Sequence, residues 1–337
     1  VPAVSNEAWS RGRVIAGAAG VAAASIGAPF VRKASAAPKV RFLTNWFAEA
    51  EHGGFFQAKA TGLYDRAGID VDLQQGGPQV NGMQILAGGG ADIILSYDIE
   101  TLNSVERGLP VVAIGATNQV DLQGIMAHAD VPSLASLKGH KILLGSTAFT
   151  TFWPWLKLKF GFTDDMTGPY TFNLQPFFVD PTLAQQGYIT AEPFAAERNH
   201  VPIRFFLFAD YGYPPYSNTI VTTRAFMEQN SDVVARFVRA TMEGWKSYLR
   251  APAPGNALIK VQNPKMDDAQ IAYSIGQFKK IRCVTGGDAA TQGIGIMTDA
   301  RWKKTRDFMV AANMLKPDTD WRQAYTLQYV RGLKILG

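Results

Sequence analysis

Residues 39–73, KVRFLTNWFAEAEHGGFFQAKATGLYDRAGIDVDL, decide the fold class. Lys39 to Thr44 alternates apolar and polar side chains as a strand does, Gly53 to Arg66 has the spacing of a helix closed by Gly68, and Ile69 to Leu73 is a second strand. Strand, loop, helix, strand is the repeating unit of a parallel sheet covered by helices. The unit recurs downstream. Pro78 to Ala87 reads as a short helix stopped by Gly88, Gly89 and Gly90, Ala91 to Ser96 as a buried apolar strand, and Val111 to Ala116 and Gly124 to Ala127 as further strands.

A second run of the same kind starts at Leu137-Lys138-Gly139. Lys141 to Leu144 is a strand, Ser146 or Thr147 caps a helix running towards Phe160, Asn173 to Val179 is a strand, and Asp180-Pro181 opens a helix. Ile203 to Phe208 and Thr219 to Thr222 are strands. From there the pattern is helical, over Arg224 to Arg250, Asp267 to Lys280, Thr298 to Asn313 and Trp321 to Leu333. Phe226, Val233, Val234, Phe237, Val238, Met242 and Trp245 form a core-facing stripe. The reading is an α/β fold, mainly of parallel sheet, in two lobes joined near Asn118 to Gly124 and Pro215 to Thr222.

Composition agrees with a globular chain. Of 337 residues, 47% are hydrophobic and 18% charged, enough apolar material for about two domains. With Cys283 alone, no internal disulfide or Cys-rich zinc site can form. The net charge is +5, but Arg11, Arg13, Arg32 and Lys33 against Glu7 put most of the excess into the first 37 residues. The remainder is nearly neutral, a poor surface for tracking phosphates, so no nucleic-acid partner is expected. His128, His140 and His200 lack metal-ligand spacing with each other or with His52, and neither a metal nor a cofactor is expected.

Residues 10–37 run from two arginines through a weakly apolar Ala/Gly/Val stretch to Ala-Ser-Ala-Ala before Pro38, the order of an export signal. Residues 1–37 are therefore expected to be an export signal removed near Ala37, leaving a periplasmic protein. The Ser-Arg-Gly-Arg run resembles a twin-arginine motif interrupted by Gly12, so the export route stays open.

Several segments together resemble one family. Phe42-Leu43-Thr44-Asn45-Trp46, Glu51-His52-Gly53-Gly54-Phe55-Phe56-Gln57-Ala58, Gly62 to Val71, Gly76-Gly77-Pro78-Gln79-Val80, Gly90 to Asp92, Leu137 to Ile142 and Gln186 to Pro193 are similar to solute-binding proteins of ABC importers of the taurine/nitrate/sulfonate and thiamine-pyrimidine-precursor group. The likeness covers roughly residues 39–250. It implies a periplasmic binding protein fold of type II, two α/β lobes joined by two hinge strands with ligand between them. On that basis residues 38–123 and 223–337 form lobe 1 with a helical tail, and residues 124–222 form lobe 2. The resemblance also implies a membrane permease as partner to a monomer.

A pyrimidine synthase of eukaryotic thiamine biosynthesis shares this architecture and is similar down to Asn45-Trp46 and His52. It needs a lysine for pyridoxal phosphate, a histidine one turn later and a cysteine-rich run. Here those positions carry Ser96, Glu100 and Tyr213-Pro214-Pro215-Tyr216-Ser217, which cannot replace them.

In an open parallel sheet, ligands sit beyond the carboxyl ends of the strands. That rule selects Asn45, Trp46 and His52, Gln79 and Asn81, and Ser96, Tyr97 and Asp98 in the first lobe. In the second it selects Ser146, Thr147 and Thr150, Asp180 and Thr182, Glu192, and Asp210 and Tyr211. Each has a plainer alternative: Trp46 as a core plug, His52 as a cap, Ser146-Thr147 as an N-cap, Glu192 as a solvated turn residue. Trp46, Phe47, Tyr97, Trp153, Tyr211, Tyr213 and Tyr216 give aromatic walls that suit a planar nitrogen heterocycle better than a sulfonate, which calls for Arg or Lys. The function expected is capture of a small molecule without catalysis, the alternatives being a sulfonate or nitrate receptor and a synthase-like enzyme.

Overall fold

Strand β1, Lys39–Leu43, divides its side chains between two layers: Val40 and Phe42 enter one core, Leu43 the other. The computed structural model describes residues 37–77 and 80–337, so residues 1–36 of the expected export signal, and Gln79, lie outside the described residues. The other strands are β2 (Asp70–Gln74), β3 (Ile93–Ser96), β4 (Val111–Asn118), β5 (Gln123–His128), β6 (Lys141–Leu144), β7 (Thr167–Pro169), β8 (Leu183–Tyr188), β9 (Ile203–Leu207) and β10 (Ser217–Thr223). They make two five-stranded sheets, ordered β2-β1-β3-β10-β4 and β7-β6-β8-β5-β9.

Both sheets are mixed. In the first, β10 lies antiparallel between β3 and β4; in the second, β5 lies antiparallel between β8 and β9. Each inserted strand follows directly on a passage between the sheets, at residues 119–122 and 208–216. Four of the five strands in each sheet run the same way, as expected of mainly parallel sheets. One expectation is corrected here: residues 217–222, expected in lobe 2, pair with β3 and β4 of the first sheet. An apolar strand pattern states that a strand is buried, not which sheet hydrogen-bonds to it.

Other differences are local. The helix expected from Gly53 breaks into Gly53–Ala60 and Leu63–Arg66. Asn173 to Val179 is not a strand: Gln175–Val179 is a helix, started by Pro176, and the strand follows at β8. Trp321–Ala324 is only a short tight turn, and Ala253–Gln262 is a helix that its Pro-Ala-Pro-Gly opening conceals.

The long helix Ser231–Arg250 buries Val234, Phe237, Val238, Met242, Trp245 and Tyr248, the spacing of one face. It lies close on Gly53–Ala60 because both helices are bare at the crossing. A Cβ on Gly54 would stand 2.2 Å from the Trp245 ring, and one on Gly244 2.2 Å from the Gly54 carbonyl oxygen. One core covers this face of the first sheet. The other runs without interruption from Leu43, Ile94 and Val221 through Tyr213 and Tyr216 to Ile125, Ile142 and Phe206 of the second sheet. Met126, Phe177 and Ala196 cover the far face of that sheet.

Candidate functional site

The loop after β1 is fixed before it offers anything to a ligand. The Thr44 hydroxyl donates to the Trp46 carbonyl at 2.6 Å and accepts from the Gly76 amide at 3.2 Å. His52 Nε2 bonds Asn45 Oδ1 at 2.9 Å, Asn45 Nδ2 donates to Asn218 Oδ1 at 3.3 Å, and Asn218 Nδ2 donates to the Glu51 carbonyl at 3.3 Å. Burial lowers the His52 pKa to about 3, so the imidazole is neutral at any physiological pH. His52 therefore supplies no positive charge; it orients Asn45.

Around this loop three carboxyl groups come together from both halves of the molecule. Glu49 precedes the tight turn Ala50–His52 and Glu51 lies within it, and Glu192 opens the helix Glu192–Arg198 after β8. The Tyr188 amide donates to Glu192 Oε2 at 2.7 Å and the Tyr170 hydroxyl donates to Oε1 at 3.2 Å. Burial raises all three acids above the ordinary carboxylate range. Glu51 and Glu192 push Glu49 higher still, and Glu51 adds to the rise of Glu192. Among the described residues none of the three is paired with a Lys or Arg. Gly187 makes the approach possible: a Cβ there would stand 2.9 Å from Glu192 Oε2.

Aromatic rings close the cluster. The Tyr97 hydroxyl, from the first sheet, is hydrogen-bonded to the Tyr188 hydroxyl of the second. Trp46 lies 5.2 Å, centroid to centroid, from Phe172, and Phe172 lies 5.1 Å from Tyr170. Further contacts span the sheets: Arg198 pairs with Asp267 at 2.7 Å, and Phe194 stacks on Tyr273 at 5.0 Å. The lobes are closed on each other.

Of the residues expected at the site, Asn45 and His52 share a hydrogen bond, Trp46 and Glu192 share the ring and acid cluster, and Tyr97 reaches it through Tyr188. Others are differently engaged. Ser96 is buried and donates to Glu100 Oε2 at 2.6 Å. Asp98 is fully buried and its Oδ2 accepts from the Tyr216 amide at 2.8 Å and the Thr305 hydroxyl at 2.9 Å. The expectation of ligand contact is corrected for both: their acceptor or donor groups are already satisfied within the protein. Ser146, Thr147 and Thr150 are exposed, and no capping bond from their side chains is formed. Thr150 lines a different, shallow groove of about 620 Å³ with Phe149, Leu158 and Arg107. Tyr211 packs against Phe160 and Phe206. Asn81 caps Gln84, and Asp180 bonds Thr182.

Glu49, Glu51, Tyr170, Phe172 and Tyr188 were not selected by the strand-end rule. The two glutamates did leave a trace, two acids one residue apart beside a loop tryptophan and a histidine. Phe172 left none.

Two mixed α/β sheets traversed twice by the chain are the architecture of the periplasmic binding proteins. The periplasmic aliphatic sulphonate binding protein SsuA of Escherichia coli matches with a TM-score of 0.64 at 15% identity, over 85% of this chain and 91% of that one. The chain belongs to the family described as NMT1/THI5 like, whose profile matches residues 49–254, more than half its length. A formylaminopyrimidine-binding protein of Halalkalibacterium halodurans is 26% identical over 227 residues, 63% of this chain and 67% of that one. The riboflavin-binding protein RibY of Chloroflexus aurantiacus is 24% identical over 330 residues, 92% of this chain and 91% of that one. A shorter stretch of 88 residues is 32% identical to 4-amino-5-hydroxymethyl-2-methylpyrimidine phosphate synthase of Schizosaccharomyces pombe, over 26% of this chain and 25% of that one.

Proposed function

We propose that this chain is the extracytoplasmic solute-binding receptor of an ABC importer, and that its ligand is a planar nitrogen heterocycle bearing an amino group, of the pyrimidine class. One observation carries the ligand class: three carboxyl groups, Glu51 buried and Glu49 and Glu192 partly buried, share a ring-walled site with no Lys or Arg paired to them among the described residues. Such a site offers carboxyl acceptors without a paired cation, and an aminopyrimidine brings further N–H donors on a flat frame that Trp46, Tyr97, Tyr170 and Phe172 can flank. A sulfonate brings a second negative charge and is repelled. The relatives named for formylaminopyrimidine and riboflavin, both nitrogen heterocycles, support this reading.

The reading is of a receptor without catalysis. Where the related synthase needs a Schiff-base lysine and a histidine, Ser96 and Glu100 are hydrogen-bonded to each other. Residues 119–122 and 208–216 serve as the hinges, and a ligand touching both lobes gains its second set of contacts only on closure. A periplasmic location, a permease partner and a monomeric state belong to the same proposal.

Differential scanning fluorimetry of residues 38–337 tests it with 4-amino-2-methylpyrimidine derivatives, the matching 4-oxo compounds, riboflavin and alkanesulfonates. A ligand present at a hundredfold its Kd adds about 2.7 kcal/mol of stability. The amino compounds are expected to raise Tm and the sulfonates to leave it unchanged. Stabilisation by sulfonates alone overturns the ligand class, and no response to any compound overturns the receptor.

A further inference from the structure

Phe172 is placed against the ordinary rules for a phenylalanine. It is 54% exposed, and its backbone is left-handed, with φ at 60°. A bulky residue adopts that conformation only where its surroundings hold it there, and such positions concentrate at clamps and switches.

The surroundings here are specific. The loop between β7 and the helix Gln175–Val179 is fastened on both sides of Phe172: the Tyr170 amide donates to the Leu144 carbonyl at 2.9 Å, and Asn173 Oδ1 accepts from the Gln175 amide at 3.0 Å. Between these fastenings the ring is carried out over the acid cluster. Its aromatic neighbours are Tyr170 of its own lobe and Trp46 of the other, and Tyr170 in turn donates to Glu192. Phe47, itself 43% exposed, lies 5.6 Å from Trp46 and prolongs the patch on the first lobe.

We propose that Phe172 is the latch of the cleft: its ring meets Trp46 only when the lobes are shut, and this one contact sets the fraction of molecules that are closed. The assignment of the motion to ligand capture rests on the receptor reading; the latch itself does not, and it is measurable without ligand. A tilted aromatic pair shifts a two-state equilibrium by about two- to tenfold. The latch thereby fixes how long a captured molecule stays, while Glu49, Glu51 and Glu192 decide which molecule it is.

The test is the distance distribution, by electron–electron double resonance on the unliganded protein, between spin labels on K138C in the second lobe and V261C in the first, both exposed positions. Cys283 is buried and takes no label. The wild type is expected to show a compact and an extended population. Phe172→Ala is expected to reduce the compact one by about two- to tenfold and Phe172→Tyr to keep it. Trp46→Ala is expected to match Phe172→Ala, and the double variant to add nothing, because the two rings make one contact. Unchanged distributions in the single variants, additive losses in the double variant, or a single extended population in the wild type each overturn the latch. Phe172→Gly, which removes both ring and backbone strain, is expected to melt higher than Phe172→Ala while showing the same open population; a lower Tm overturns the claim that the residue is held under strain. Absence of any stabilising ligand leaves these outcomes readable and bears on the receptor reading alone.

Discussion

The molecule buries acids in two places and treats them oppositely. Beside the passages between the lobes, Asp98 accepts from the Tyr216 and Ile99 amides and the Thr305 hydroxyl, and Asp121 accepts from the Gln123 amide and side chain. Arg301 stands in the field of both. It donates to the Gln119 carbonyl at 3.2 Å and the Pro215 carbonyl at 3.1 Å, bonds the Pro214 carbonyl as well, and lies 4.9 Å from the Tyr216 ring centroid. One guanidinium thus holds both passages. In the cleft, Glu49, Glu51 and Glu192 have no such cation paired with them among the described residues, and every influence on the Glu49 carboxyl raises it. Both groups include acids held by N–H or O–H donors, Asp98 by Tyr216 and Glu192 by Tyr188 and Tyr170; what separates them is the cation, which stands beside Asp98 and Asp121 and is not paired with the three glutamates.

That contrast breaks first at Asp98. Replacing it with Ala leaves the Tyr216 and Ile99 amides and the Thr305 hydroxyl without their acceptor, and urea unfolding is expected to show a loss of about 3–5 kcal/mol for these buried donors together. Glu192→Gln is expected to leave stability nearly unchanged, since the amide oxygen still accepts a hydrogen bond. Calorimetry of that variant should show an aminopyrimidine bound about 2–3 kcal/mol more weakly, against little change for a neutral ligand. An Asp98 variant as stable as wild type, or a Glu192 variant that unfolds, would reverse the two roles. Trp46→Ala is expected to cost about 1–3 kcal/mol in binding by the same calorimetry, with the melting curve of the free protein retained.

The smallest effect is on the pH dependence of stability. Burial raises Asp98 from 3.8 to about 7, so between these values the folded chain keeps a proton that the unfolded chain releases. Its contribution therefore falls as pH rises through that window. His52 works in the other sense: lowered from 6.5 to about 3, it takes up a proton on unfolding, and its contribution rises with pH over that interval. Asp98→Asn removes the first slope and leaves the second. Its stability, followed by urea midpoints, is expected to increase from pH 4 to pH 6.5 relative to the wild type. A parallel pair of profiles would place the titration elsewhere.

Much of this was legible in the residues, for identifiable reasons. β1 and β3 announce themselves by apolar pattern, and the stripe of Ser231–Arg250 by its helical period, because both are local. Asn45, Trp46 and Glu192 follow from the rule about strand ends. The strand-end rule cannot separate Asp98 from Glu192: both open a helix after a strand, and only the arrival of Tyr216 and Thr305 from far along the chain makes one of them structural. Gln175–Val179 was misread because Phe177, Phe178 and Val179 favour a strand locally, while the proline ahead of them started a helix. Phe172 carries no sequence signal at all, since its position depends on a backbone conformation that its own side chain disfavours.

The placement of β10 also orders events in time. In the first sheet the strand beside β4 is β10, and the other bridges of β4, to Gly295 and Tyr325, come later still, so as the chain emerges β4 has no sheet neighbour until residues 217–223 have followed it. All five strands of the second sheet lie within residues 123–207, one uninterrupted stretch. The second lobe can therefore assemble while the first still presents an open edge beside β3 and β4. The half of the molecule that is made first is completed last, and its unpaired strands are the surface most in need of protection until β10 arrives.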